Sequence, residues 1–407
     1  MPIVATRSDV VDEVIRARRI TDTLFAQLPP ESMWDRPIPE RHRMLFYVGH
    51  LEAFDWNQIG RAALGLSSSN AELDKLFAFG IDPPVGQLPQ DVPGDWPTWE
   101  QTLEYVGLVR RNLDREIQNA PEEALQLALE HRLMHAETIT YLLHSLDYNR
   151  RLLPASLAAA FFGEPPSLQM IKIPAGVATL GMRRGETFGW DNEFEQHSLD
   201  VPAFSIGRYK VTNAQYLEFV KAGGPAPHFW RQHDGQWLYH GLHAEVRLPL
   251  DWPVYVSHAQ AQSYARWLGM ALPTEAQFHR AAFGTPQGYQ RRYPWGDQPP
   301  GIELGNFNFQ HSDLIPVTAT PAGDSAFGVS QLVGNGWEWT STVFGPFPGF
   351  APRPSYPGYS ADFFDGDHFV LKGGSCVTDA RLLRSSFRNW FRTNYPYAYT
   401  TFRVVEN

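Results

Sequence analysis

The pattern of apolar residues changes once along this chain, and the change divides what it can fold into. Up to about residue 150 apolar positions recur at helical spacing. Beyond a proline-bounded stretch, Pro154 to Pro166, that spacing stops, and Gly, Pro and aromatic residues take over. In the first part, Ser8 or Asp9 can cap a helix whose stripe runs Val11, Val14, Ile15, Ile20, Leu24 and Leu28. Further helices are expected over about 41–64, 98–119 and 121–146, with a Pro-, Gly- and Asp-rich loop over about 80–97. Four amphipathic helices joined by loops make a bundle, and bundle cores commonly hold metals between facing helices. In the second part, short β-type runs such as Met170-Ile-Lys-Ile and Ala178-Thr-Leu-Gly alternate with turns, with one helix from His258 and another after Thr274. The expected fold class is α+β: a four-helix bundle over 1–152, a linker over 153–168 and a loop-rich domain over 169–407.

Charge and composition exclude several classes. The formal net charge is −10 with no long basic run, which argues against nucleic acid or an anionic membrane surface as partner. No run of about 18 apolar residues exists, so no membrane span is expected. The N-terminal residues lack a signal-peptide pattern, and the single cysteine, Cys376, excludes an internal disulfide. A cytoplasmic enzyme is the expectation.

The chemistry-bearing segment is Leu127-Ala-Leu-Glu-His131-Arg-Leu-Met-His135-Ala-Glu137. Histidines four apart project from one helix face. A third, His50, lies on the helix expected over 41–64. Two ligands from one helix and one from another can hold a metal and leave positions open for substrates. Such histidines also occur as satisfied polar residues at a helix edge. Three imidazoles suit Fe(II) or a catalytic zinc, and spacing does not choose between them. Glu52 or Glu137 can orient a ligand histidine from behind; either can equally be a helix-surface acid.

The second domain resembles the formylglycine-generating-enzyme-like fold, itself related to C-type lectin folds. The resemblance rests on Gly207-Arg-Tyr-Lys-Val-Thr-Asn213, Trp252-Pro-Val, Ala271-Leu-Pro-Thr-Glu275-Ala, Tyr293-Pro-Trp-Gly-Asp297, Gly334-Asn-Gly-Trp-Glu-Trp-Thr340, Leu371-Lys-Gly-Gly-Ser375 and Phe402-Arg-Val. Trp337, Glu338 and Trp339 read best as structural. Formylglycine formation is not implied, because that activity uses a cysteine pair. Fused to a DinB-like bundle, the whole resembles the nonheme-iron sulfoxide synthases, whose best-known member forms the carbon–sulfur bond of ergothioneine.

That resemblance implies Fe(II) on His50, His131 and His135, O2 as oxidant, and hercynine, the trimethylated betaine of histidine, as substrate. It implies hercynine contacts from Arg388, Asn389 and Trp390, with Trp390, Tyr395, Tyr397 and Tyr399 around the quaternary ammonium; Phe391 and Met134 are further candidate substrate-binding residues. It implies a tyrosine donor, Tyr356 first and Tyr359 second. Relatives using γ-glutamylcysteine carry basic residues in the loop before the third long helix and an Asp after Asn-Trp. Here the loop Gln87–Pro97 has no Arg or Lys, Phe391 follows Trp390, and Met134 stands where Gln is common. A donor with two carboxylates would want cations. The departures favour free cysteine or, closer to the selenoneine synthases, a selenosugar, with Asp91 and Asp95 placed to meet hydroxyls. A buried thiol is the plainer reading of Cys376, and reshaping of the pocket the other. Two further readings stay open: a non-catalytic lectin-like binding module and a zinc-dependent thiol transferase.

Overall fold

The structure, a computed structural model, describes residues 7–81, 87–153, 163–311 and 313–406. Most of the expected linker, 154–162, lies outside the described residues, as does part of the loop at 82–86. The chain divides into two compact units, Met1–Pro154 and Ala155–Asn407. Among the described residues, no helix is long and apolar enough to cross a membrane.

The first unit holds α1 (Arg7–Phe25), α2 (Met44–Asp55), α3 (Ala71–Phe79), α4 (Trp99–Glu116) and α5 (Glu122–His144). α1 packs along α5, and α2 packs on α3, α4 and α5. Every residue of α2 is buried and so is most of α5. A helix apolar or buried all round belongs in the middle of its unit, so the two histidine-bearing helices are the central ones. The helix expected over 41–64 begins at Met44 and changes at Trp56 into a π-helical segment that ends at Ala63. The short α3 was not foreseen. Asn70 caps it by accepting from Leu73 N at 3.1 Å, and Gly80, at φ 77°, ends it. Nine residues carry too short a periodic signal to read as a helix.

Four helices of this unit meet at a buried ion cluster. Arg132 on α5 donates to Asp55 (2.7 Å), Glu52 (3.1 Å) and the Leu51 carbonyl (3.1 Å) on α2, and to Thr21 on α1 (3.3 Å). Arg110 on α4 joins Glu52 at 2.8 Å, and Arg18 on α1 lies 3.7 Å from Asp55. Burial alone would raise the Glu52 carboxyl, but Arg132, Arg110 and Arg18 overcome it and hold it down at about 2. For Asp55 burial outweighs its arginines, and its carboxyl is raised.

The second unit holds β1 (Met170–Ile173), β2 (Gly176–Leu180), β3 (His197–Val201), β4 (Phe204–Gly207), α6 (Asn213–Lys221), β5 (Trp230–His233), β6 (Gln236–His240) and β7 (Glu245–Arg247). After these come α7 (His258–Trp267), α8 (Glu275–Phe283), β8 (Trp337–Val343), β9 (His368–Lys372), β10 (Asn389–Arg392), β11 (Thr400–Thr401) and β12 (Val405–Glu406). Among the described residues the strands form four small sheets, ordered β1-β4-β12, β10-β9-β8-β11, β2-β3 and β5-β6-β7. Capping boxes start α6, α7 and α8 at Thr212, Ser257 and Thr274.

Sheets this small need other support, and three of the sequence motifs converge to give it. Lys210, Glu338 and Arg403 are fully buried. Glu338 accepts from Lys210 Nζ at 2.7 Å and from Arg403 Nε and Nη2 at 2.5 and 2.7 Å. Arg403 also donates to the carbonyls of Gly207, Arg208 and Ser330, and Lys210 to that of Gly336. Before Glu338, the Gly-Asn-Gly turn is forced: Gly334 sits at φ 83°, and a Cβ there would stand 2.4 Å from the Asn306 carbonyl oxygen. Asn335 fills its four bonding positions with Ile315 N and O, Gln331 and Asn306. Trp337 and Trp339 are buried, and Trp339 donates to the Val256 carbonyl.

Two outcomes follow from these networks. Glu338→Gln leaves two buried cations short of their counter-charge and is expected to cost about 3–5 kcal/mol in denaturant unfolding, against a change within about 0.5 kcal/mol for the exposed Glu406→Gln. The Glu52 carboxyl is depressed from 4.5 to about 2, so the folded state binds fewer protons than the unfolded one. Its contribution is complete above about 4.5 and is lost as pH falls towards about 2. The stability difference between the protein and Glu52→Gln should therefore shrink across that window in acid urea titrations.

Candidate metal centre

His50 lies in the middle of α2, and His131 and His135 lie one turn apart on α5. One ligand nitrogen from each comes within 4.8 Å of the other two. Ring centroids are 5.2 Å apart for His50–His131, 4.8 Å for His50–His135 and 4.5 Å for His131–His135. The walls are aromatic. Phe46 and Phe54, one turn to either side of His50, stack on His50 (4.7 Å, 28°) and on His131 (3.4 Å, 6°), and the Tyr47 ring lies 6.0 Å from that of His135.

The protonation states suit a metal. Burial pushes His50 down to about 4, against the weaker opposing pull of its bond to Phe77 and with help from His42 and Arg132. Burial, the neighbouring imidazoles and Arg132 hold His131 and His135 well below the usual histidine value, and Arg41 adds to the effect on His135. All three are neutral at pH 7 and need lose no proton to ligate. The Nδ1 of His135 is buried without a hydrogen-bond partner among the described residues. His50 Nδ1 lies 2.7 Å from the Phe77 carbonyl oxygen. A carbonyl only accepts, so Nδ1 carries the proton and Nε2 is left as the ligand atom. This donor set fits a divalent metal such as Fe(II) or zinc.

The orienting group was missed in the sequence because it is a backbone carbonyl on the unforeseen α3. Neither acid takes that part for His50. Glu52 accepts from Arg110 and Arg132, and Glu137 sits roughly 200° round α5 from His135. Met134 is half-buried, one position before His135.

In the second unit the expected hercynine contacts separate. On β10 side chains alternate between faces. Trp390 stacks on Phe344 (4.2 Å, 7°) and meets the edge of Tyr359 (5.3 Å, 82°). Tyr359 is buried against Trp190 (3.9 Å, 23°), with the half-buried Tyr356 beside it at 5.7 Å. Phe391 instead stacks on Tyr395 (4.9 Å, 3°), which continues to Tyr397, while Tyr399 is buried on Tyr255 (5.3 Å, 18°). Trp390 and the three C-terminal tyrosines thus pack on different partners. Asn389 is half-buried, and its Oδ1 accepts from Trp390 N at 2.8 Å.

Two expectations are corrected. Arg388 is not available to a substrate carboxylate: it is buried, paired with both oxygens of Glu275 at 3.0 and 3.1 Å, and bonded to the carbonyls of Asn192 and Gly345. Asp91 does not face a ligand: its buried carboxylate accepts from Arg36, Arg43 (2.9 Å) and Trp96 Nε1 (2.8 Å). Those bonds overcome the effect of burial and lower its pKa. Asp95 is exposed and accepts from Val92 N. Cys376 is buried, 3.8 Å from the Tyr255 hydroxyl.

A Cβ at Gly49 would stand 2.3 Å from the Phe77 ring. Gly49→Ala should displace Phe77 and with it the carbonyl that orients His50. The expected cost is about 1–3 kcal/mol of stability and about a 10- to 100-fold loss of metal affinity, measured by titration against a chelator of known affinity.

With this geometry in view, the relationships of the chain are clear. Residues 13–145 match the DinB superfamily, and residues 160–407 match the sulfatase-modifying factor enzyme 1-like domain. Ergothioneine biosynthesis protein 1 of Neurospora crassa is 28% identical over 93% of this chain and 55% of its own length. Hercynine oxygenase of Mycobacterium tuberculosis is 40% identical over 53% of this chain and 54% of its own. Hercynine oxygenase of Mycolicibacterium smegmatis is 36% identical over 70% of this chain and 73% of its own. The chain spans about half the length of the first two relatives. By its two domains and these relatives, the chain belongs to the ergothioneine-type sulfoxide synthase family.

Proposed function

We propose that this chain is an O2-dependent nonheme Fe(II) enzyme that forms a carbon–chalcogen bond at imidazole C2 of hercynine, with a selenosugar as donor. The observation that carries this reading is the meeting of three neutral imidazoles, two buried and one half-buried, on two central helices in a chain related to hercynine oxygenases. His50, His131 and His135 would hold the iron, which supplies a template and the reduction of O2. In the overall reaction C2–H and Se–H give way to C2–Se and selenium gains one oxygen. Those four electrons reduce O2, whose second oxygen leaves as water.

The chain's own residues bind and orient. Phe46 and Phe54 keep water from the histidines. Trp390 offers an aromatic face to a quaternary ammonium, and Asn389, its Oδ1 already accepting, presents its NH2 to a carboxylate. Tyr356 is the preferred tyrosine donor and Tyr359 the second. Burial and Asp362 raise the Tyr356 phenol, so it stays protonated and able to donate.

The selenosugar assignment rests on charge. The loop Gln87–Pro97 has no Arg or Lys, and Arg36 and Arg43 are both turned onto Asp91. A sulfur donor, cysteine or γ-glutamylcysteine, is the second reading, favoured by the name of the Neurospora crassa relative. An aerobic assay of the Fe(II)-loaded protein with hercynine and each donor separately, read by mass spectrometry, decides between them. A selenium adduct formed in preference is expected; a sulfoxide formed in preference moves the chain to the second reading, and no adduct refutes both. His131→Ala is expected to abolish iron binding and turnover together, and iron retained at full occupancy would remove the assigned centre.

A further inference from the structure

The tight turn Asp191–Glu193, which follows Trp190, fastens three segments of the second unit. Asp191 accepts from Ser360 Oγ at 2.5 Å and Arg353 N at 3.4 Å, and so holds the stretch that carries Tyr356 and Tyr359. Glu193 accepts from Arg384, from Ser386 Oγ at 2.7 Å and from Trp190 N at 2.8 Å. The Asn192 carbonyl accepts from Arg388 at 3.3 Å, immediately before Asn389 and Trp390. Both acids of the turn are thus committed.

The Asn192 side chain differs. The residue is 1% exposed, yet neither its Nδ2 nor its Oδ1 has a partner among the described residues. A primary amide offers two donors and an acceptor with two lone pairs. Leaving these unmade inside a protein is costly, and buried polar groups are otherwise nearly always bonded. Alanine or leucine at this place would avoid the cost, and the backbone bonds of the turn would not change.

We infer that the Asn192 amide is a binding group for a hydroxyl of the neutral, polyhydroxylated donor, and so a determinant of donor specificity. A hydroxyl donates and accepts at once and can use both ends of the amide. A carboxylate accepts only and would seek a cation, and the two cations bonded to Glu193 and to the Asn192 carbonyl are committed to acids: Arg384 to Glu193 and Arg388 to Glu275. The turn is tied to Tyr359 through the Trp190 ring and to Trp390 through Arg388, both in the segments assigned above to the reaction. This inference rests on the proposed reaction and its sugar donor.

The test compares the protein with Asn192→Ala and Asn192→Leu, using 1-thioglucose as a stable stand-in for the selenosugar, with hercynine and cysteine as the other probes. Thermal midpoints without ligand should be unchanged or higher in the variants; a fall would mean that the amide holds the turn and would overturn the inference. With iron loaded, the KM for 1-thioglucose is expected to rise about tenfold in Asn192→Ala, with hercynine binding unchanged. An unchanged KM for the sugar, or an equal weakening of hercynine, would overturn the role of Asn192 while leaving the proposed reaction standing. A wild-type protein that turns over cysteine but no thiosugar would instead overturn the donor class.

Discussion

The Arg132 guanidinium sets the distance on which the candidate centre depends. It lies beside His131 on α5 and reaches across to Glu52, Asp55 and the Leu51 carbonyl on α2, one to five residues beyond His50. A charge this deeply buried tolerates little misplacement, because any lengthening of its bonds exposes an unpaired ion to a medium of low dielectric. Side chains that only filled space would allow the two helices to slide. The ion cluster does not, so three imidazoles from two helices can be held within ligating distance of one another. The same cation lies close enough to all three histidines to disfavour their protonation.

The second unit solves the same problem with sheets too small to be stable alone. Lys210, Glu338 and Arg403 come from motifs far apart in the chain, and their bonds reach the carbonyls of Gly207, Arg208, Ser330 and Gly336. These motif residues are scaffold, as expected of Glu338, and one residue expected to be functional is scaffold as well. Arg388 makes the point most directly: it sits beside Asn389 and Trp390, yet both its pairing and its cation–π contact with Phe347 (4.0 Å) are internal.

Much was legible in the sequence. The periodicity of α1, α4 and α5 gave the helical part, Thr274 was read as a cap, and His50, His131 and His135 were singled out by spacing and resemblance before their proximity was known. What was not legible has a common physical cause. The α3 helix has nine residues, the orienting partner of His50 is a backbone carbonyl with no side-chain identity, and the charged partners of Asp91 and Arg388 lie 48 to 113 positions away. Contacts made through backbone or across such separations leave no local pattern. Nor does alternation on β10 tell which tyrosines share a face with Trp390, because Tyr395, Tyr397 and Tyr399 lie beyond the end of that strand.

The dependence of His50 on α3 bears on the order in which the centre is assembled. A nine-residue helix is marginal by itself in water. This one is secured through Asp74, which accepts from Tyr105 of α4 at 2.8 Å and from Ser68 at 2.5 Å. Until α3 has packed on α2, the Phe77 carbonyl has no fixed place, and the His50 ring can turn and exchange tautomers. The ligand set is therefore a product of tertiary packing rather than its seed. A nascent chain would present scattered histidines with little preference among metals, and only the finished bundle would offer a single rigid tripod.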